Sequence, residues 1–188
     1  MTLPYLIMAL VTLQRLAELA IAASNTRHLL ALGGVESGRG HYPAMVALHA
    51  SWLAALWFSV GGRAVNLPLL GIFMLLQALR LWVLTTLGRR WTTRIIVLPG
   101  ALLVTGGPYR FLRHPNYCVV VGEIAVLPLV FGLTWIAISF SLLNAAMLWV
   151  RLGAEGRALR GTGEWVPDDA KQGSGSETKG DWRPRARP

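Results

Sequence analysis

The chain has 188 residues, 54% of them hydrophobic and only 14% charged, with a mean hydropathy of +0.48 and eight tryptophans. Its net charge of +9 comes almost entirely from arginine. A water-soluble domain of this length needs more charge to cover its surface, so the composition excludes that class and indicates a single integral membrane domain.

Three apolar runs stand apart, Leu3 to Ala23, Ala44 to Val60 and Leu67 to Leu87, each near the roughly 20 residues a helix needs to cross a bilayer. The first has no basic leader and carries Gln14, Arg15 and Glu18, so it reads as a retained helix and not as a cleaved signal. The fourth run, Cys118 to Val150, is too long for one span and short for two, with Pro128 and Gly132 near its middle. It is expected to form a tight hairpin, Cys118 to Phe131 and Leu133 to Val150, whose arms are close to or slightly below the hydrocarbon thickness. The expected fold is therefore an all-α integral membrane protein with about five transmembrane helices.

Five helices put the first loop, the third loop and the carboxyl end on one side. The first loop carries Arg27 and Arg39, and the third carries Arg89, Arg90, Arg94, Arg110 and Arg113. Further cations run from Arg151 to Arg187, while the opposite side shows only Arg63. This bias places the third loop and the carboxyl end in the cytoplasm. Trp91 and Trp149 suit interface anchors. Beyond Val166 the sequence is polar, with almost nothing to bury, so a membrane domain over 1–166 and a disordered basic tail over 167–188 are expected. Its basic end could meet anionic membrane lipid, but the preferred reading is a solvated tail without a role.

Ionisable residues in membrane helices need partners. Gln14, Arg15 and Glu18 share a helical face, as do Gln77 and Arg80, and both stripes should face the bundle interior. Glu18, Arg80 and Glu123 lie at similar depths, so Arg80 is expected to pair with one of the two carboxylates, either to fix helix register or to serve a site. His49 reads as a hydrogen-bonded core residue and Cys118 as a small apolar filler. One cysteine permits no internal disulfide, and without CxxC or HExxH spacing no metal is expected.

The third loop is too patterned to be a mere connector. Residues 94–104 read as two short extended pieces about Pro99-Gly100, followed by a break at Gly106-Gly107-Pro108. Such a flap can offer backbone groups to a ligand. At the end of the fifth helix, Arg151 and Glu155 are four residues apart and share a face. Beside the segment Tyr109 to Tyr117 they make a pocket of opposed charges suited to a zwitterionic or cationic ligand.

The order Leu102-Leu103-Val104, Pro108-Tyr109, Arg113-His114-Pro115-Asn116-Tyr117, an apolar hairpin, then Arg151 with Glu155 resembles the isoprenylcysteine carboxyl methyltransferase family. These are integral membrane enzymes that use S-adenosylmethionine. Gln14-Arg15 with Glu18, Gly33-Gly34 with Glu36, His41-Tyr42-Pro43, His49 and the run Leu87 to Thr92 are similar to a bacterial branch found beside type III polyketide synthases and associated with methylating alkylpyrone or alkylresorcinol lipids.

The resemblance implies that Tyr109, His114, Pro115, Asn116 and Tyr117, with the backbone of Ala101, Leu102, Leu103 and Val104, form a cytoplasmic cofactor-binding flap. It further implies that Glu155 binds the polar end of the cofactor, that Arg94 approaches it, and that Arg151 meets the anionic oxygen of the acceptor. Gly156 follows Glu155 where the family usually continues with an acidic residue, and Gly153 stands where a polar one is common. Arg151 and His114 are the expected catalytic residues. The expected reaction is methyl transfer to a carboxylate, enol or phenol oxygen of a lipophilic small-molecule acceptor, at the cytoplasmic face of a bacterial inner membrane, with no nucleic-acid partner. A carboxylate or acidic enol is already ionised near neutrality, whereas a phenol with a pKa near about 10 needs a base, for which His114 or Tyr117 would serve. The alternatives are a membrane reductase using a nicotinamide cofactor, for which no glycine-rich dinucleotide fingerprint is present, and a non-catalytic membrane adaptor.

Overall fold

The computed structural model describes residues 2–99, 101, 104–112 and 114–161. Leu102, Leu103, Arg113 and the expected tail over 167–188 lie outside the described residues. Five α-helices are described: α1 Thr2–Ala31, α2 Tyr42–Ser59, α3 Leu67–Leu87, α4 Pro115–Val130 and α5 Thr134–Gly161. Two short strands, β1 Val35–Ser37 and β2 Ile95–Val97, lie in the first and third loops, with 3₁₀ turns at Arg39–His41, Gly88–Arg90 and Gly107–Arg110.

Three described helices are long and apolar enough to cross a membrane, over Leu3–Ala31, Leu67–Arg90 and Thr134–Gly156. The other two described helices, α2 and α4, fall outside that measure of length and apolarity. Helix α4 has 16 residues, which at about 1.5 Å per residue is roughly 24 Å and short of a bilayer core near 30 Å. Helix α2, with 18 residues, carries His49, Ser51, Trp52, Trp57 and Ser59 in its apolar run. Trp52 and Leu56 of this helix, with Val60 just after it, are buried in one apolar cluster with Met8, Phe73 and Leu127.

Helix α1 continues past the expected end at Ala23 to Ala31. The apolar run stops there, but Asn25 is buried and donates to the carbonyls of Gly88 (3.1 Å) and Trp91 (2.8 Å), so a tertiary contact holds the extra turns. At the opposite end of the bundle, Asn66 caps α3 by accepting from the Leu69 N–H at 3.1 Å, and its own N–H donates to the Val130 carbonyl at 2.8 Å. That bond ties the second loop to the turn of the α4/α5 hairpin. Gly132 takes φ 69° there, while the Leu133 N–H reaches back to the Pro128 carbonyl at 2.9 Å, closing α4 as the Pro128 and Gly132 signals require. Gly122 sets the approach of α4 to α3, since a Cβ at this position would lie 2.8 Å from Cδ2 of Leu76.

The partner of strand β2 is β1 of the first loop, antiparallel with Val35 opposite Val97, Glu36 opposite Ile96 and Ser37 opposite Ile95, while most of the second extended piece expected after Pro99 lies outside the described residues. The close approach depends on Gly34, where a Cβ would stand 2.7 Å from the Leu29 carbonyl oxygen and 2.9 Å from Cγ2 of Ile96. The ladder holds the first and third loops at one end of the bundle, in keeping with their shared arginine content.

The polar stripes of α1 and α3 meet α4 in a buried cluster. Arg15 reaches Glu18 and Glu123, each at 2.8 Å, and Arg80 lies 3.1 Å from each of the same two carboxylates. Gln14 donates to Glu18 (2.9 Å) and Gln77 (2.8 Å), and Gln77 donates to Glu123 (2.9 Å). Arg80 thus joins both carboxylates instead of one. Its Nε contact with Glu18 is a charge contact without hydrogen-bond alignment. Two cations and two anions balance, which is what makes ionised groups tolerable at this depth. His49 Nδ1 bonds the Met45 carbonyl at 2.9 Å, as a core histidine should. Cys118 is exposed on α4, so it does not fill the core.

Candidate functional site

The His-Pro dipeptide builds the site locally. A residue before proline is kept out of the helical region, and His114 sits at φ −134°, ψ 64°, just outside α4, while Pro115 opens the helix. The Tyr117 and Cys118 N–H groups then return to the His114 carbonyl at 3.1 and 3.3 Å. This puts the His114 ring outside the helix and Tyr117 on its first turn. The two rings stack, with centroids 5.3 Å apart and planes inclined by 12°.

Helix α5 meets this pair from the other side. The Tyr117 hydroxyl donates to Glu155 Oε2 at 2.6 Å and accepts from Arg151 Nε at 3.0 Å. The guanidinium carbon of Arg151 stands 5.6 Å from the centroid of the Tyr117 ring, and its Nη1 lies 2.7 Å from Sδ of Met45 on α2. Arg151 is buried, so its charge is felt locally and not spread through solvent. One phenol therefore sets the relative position of a cation and a carboxylate that the helix repeat already places on one face.

Tyr109 enters from the Gly107–Arg110 turn, where Gly107 takes φ 56° with Thr86 of α3 beneath it. Its ring packs on the cluster of Ala22, Val83 and Trp91. Burial, helped by the nearby charge of Glu155, pushes the Tyr109 hydroxyl up to about 12, so it remains a neutral phenol throughout the physiological range. Asn116 shares the first turn of α4. Its Oδ1 is buried without a hydrogen-bond partner among the described residues, an acceptor left open beside the cluster.

Arg94 is engaged elsewhere. Its Nη1 donates to Glu36 Oε1 at 2.8 Å and its guanidinium lies 4.5 Å from the Tyr42 ring centroid, while Arg39 Nε reaches Glu36 Oε2 at 3.0 Å. The hydrogen bond from Arg94 to Glu36 raises the Arg94 pKa. The Tyr42 hydroxyl and Thr93 Oγ1 are 3.2 Å apart. These contacts latch the first loop onto the third.

The structure thus brings together His114, Tyr117, Arg151 and Glu155, with Tyr109 in electrostatic reach and Pro115 and Asn116 on the adjoining turn. Ala101 and Val104 are partly buried in the flap, and the Ala101 N–H donates to the Leu98 carbonyl at 3.2 Å. Leu102 and Leu103 fall outside the described residues. Sequence reasoning assigned no part to Met45, which meets Arg151, or to Glu36, which receives two arginines. The contacts of Met45 with Arg151 and of Glu36 with Arg94 join segments far apart in the chain, and no local spacing signals them.

Residues 69–161 match the isoprenylcysteine carboxyl methyltransferase (ICMT) family, a stretch that holds α3, the flap, α4 and the described part of α5. The chain is also 36% identical over 163 residues to the uncharacterized protein YpbQ of Bacillus subtilis (strain 168), covering 83% of this chain and 96% of that protein. No solved structure matches.

Proposed function

The chain belongs to the isoprenylcysteine carboxyl methyltransferase family, and from that premise we propose that it is a membrane methyltransferase that uses S-adenosylmethionine to methylate an oxygen of a lipophilic acceptor. An alkylpyrone or alkylresorcinol polyketide lipid is the acceptor class we favour, with the site at the cytoplasmic face of a bacterial inner membrane. The observation that carries the reading is the bridge from Arg151 through the Tyr117 hydroxyl to Glu155, roofed by the stacked His114 ring.

The residues present fit the cofactor. Glu155 and the open Oδ1 of Asn116 are acceptors for an ammonium group, and the ring face of Tyr109, with the face of His114 turned away from Tyr117, suits a sulfonium through cation–π attraction. When bound, the cofactor supplies an electrophilic methyl group. The protein's part is mostly positional, because an oxygen held at about 3 to 3.5 Å and in line gains much of its rate from lost freedom already given up on binding. Arg151 is the group that orients and stabilises the attacking oxyanion. Its own orientation is fixed by Tyr117 on one side and Met45 on the other. The lipid tail of the acceptor remains among the apolar helices, while its head reaches Arg151 at the mouth of the bundle.

The reading is tested by incubating membranes containing the protein with methyl-labelled S-adenosylmethionine and an alkylpyrone or alkylresorcinol. Label should enter the lipid fraction with the wild type and fall at least about 100-fold in Arg151→Ala, in line with the loss of one charge-stabilising group. Equal labelling by wild type and variant would contradict the assigned role of Arg151.

A further inference from the structure

Arg151 has two flanks on α5. At about 100° per residue, Glu155 lies roughly 40° to one side of it and Ala154 roughly 60° to the other. The Glu155 side holds Tyr117 and His114. The Ala154 side faces the first loop: at Gly38, which takes φ 67°, an added Cβ would lie 3.2 Å from the Ala154 Cβ and 2.9 Å from Nδ1 of His41, and would collide with Cε1 of that ring. The His41 imidazole is therefore seated under a glycine that must remain glycine, against α5, within the field of Arg151.

The other candidate bases near Arg151 lie on the Glu155 flank. The Tyr117 hydroxyl gives its proton to Glu155 and accepts from Arg151, and His114 lies flat on the Tyr117 ring, on the flank we assign to the cofactor. His41 stands on the opposite flank, the one left to an acceptor held by Arg151 when the cofactor takes the Glu155 side.

We propose that His41 is the proton acceptor of the transfer, which fits the site to an acceptor that needs a base, a phenol, and not to a carboxylate. This rests on the methyltransferase reading. The acceptor O–H bond breaks with its proton passing to an imidazole nitrogen of His41. The oxygen forms its new bond to the methyl carbon, and the carbon–sulfur bond breaks, leaving a neutral thioether. His41 later releases the proton to water at the loop surface.

The environment suits the task. Partial burial, and then the positive charge of Arg151, lower the His41 pKa, so the ring is neutral and able to accept at pH 7. From α5 the charged group acting on it is Arg151; in its own loop Arg39 and Glu36 pair with each other, and Glu36 also with Arg94 across the ladder. In α2, Tyr42 is turned to Thr93, and His49 bonds the Met45 carbonyl.

The test compares two acceptors with the same alkyl tail, a 5-alkylresorcinol and the corresponding fatty acid, across pH 5.5 to about 10, using wild type, His41→Gln and Gly38→Ala. Wild type should methylate the resorcinol, with a rate that falls as pH drops below the lowered His41 pKa. His41→Gln should lose about 100-fold in kcat at pH 7, the usual scale of general-base catalysis. It should regain rate as pH approaches the phenol pKa near about 10, with binding of S-adenosylhomocysteine unchanged. Gly38→Ala should follow the same pattern by displacing the ring. A loss in His41→Gln below threefold, or a loss equal at every pH, would overturn the proposal. So would a wild type that methylates only the fatty acid, while leaving the methyltransferase reading intact. Methylation of neither acceptor by wild type that binds no S-adenosylhomocysteine would overturn both.

Discussion

At the scale of single residues, the Tyr117 hydroxyl is the joint of the site, because it touches both the guanidinium of Arg151 and the carboxylate of Glu155. Hydrogen bonds to charged groups contribute about 1.5 to 3 kcal/mol each. Tyr117→Phe keeps the ring that His114 stacks on but removes both bonds, so kcat/KM for methyl transfer should fall by about 10- to 100-fold with the protein still folded, as checked by steady-state kinetics beside a detergent melt. An unchanged kcat/KM would mean that Arg151 and Glu155 hold their places without the phenol. Arg94 belongs to a different group. Its pairing with Glu36 and Tyr42 makes it a latch residue, and Arg94→Met should lower thermal stability more than it weakens binding of S-adenosylhomocysteine.

At the scale of elements, the buried cluster of α1, α3 and α4 and the small β1/β2 ladder bind segments that are distant in sequence. Removing one member of a balanced buried ion set costs about 3 to 5 kcal/mol, because a charge is left without its partner. Arg80→Met should therefore depress the melting temperature sharply, and pairing it with Glu123→Leu should restore much of the loss, since Arg15 and Glu18 then still balance. A double variant less stable than the single would rule out charge balance as the reason for the cluster. For the ladder, Gly34→Ala should cost about 1 to 3 kcal/mol by overpacking against backbone, read as a lower melting temperature.

The polar stripes of this cluster were legible in the sequence because Gln14, Arg15, Glu18, Gln77 and Arg80 repeat at helical spacing within apolar runs. So was α3, whose expected limits at Leu67 and Leu87 coincide with the structure. The partner of β2 was not legible, since its pairing with β1 joins two distant loops and depends on Gly34 fitting beneath Ile96. The far reach of α1 also escaped, because Asn25 is anchored by carbonyls of another loop. At the site, Arg151 and Glu155 could be placed on one face from spacing alone, whereas the contact of Arg151 with Met45 is a product of helix packing.

At the scale of the whole molecule, the latch, the flap and the α5 mouth lie together at one end, and the Asn66 to Val130 bond closes the other. Arginine is concentrated at the first of these ends, with Arg63 opposite. The positive-inside bias then predicts that, in a Cys118→Ser background, a cysteine placed at Arg110 is labelled by an impermeant reagent only after cells are opened, and one at Arg63 in intact cells. The reverse pattern would invert the molecule in the membrane.

The central claim is that the cluster of His114, Tyr117, Arg151 and Glu155 is a binding site for the methyl donor. The most direct measurement is calorimetric titration of the detergent-purified protein with S-adenosylhomocysteine, beside His114→Ala and Glu155→Gln variants of matched thermal stability. The account predicts saturable one-site binding by wild type, weakened by about 10- to 100-fold in Glu155→Gln and by a smaller factor in His114→Ala. Folded wild type that binds no S-adenosylhomocysteine, or variants that bind it as tightly as wild type, would contradict it.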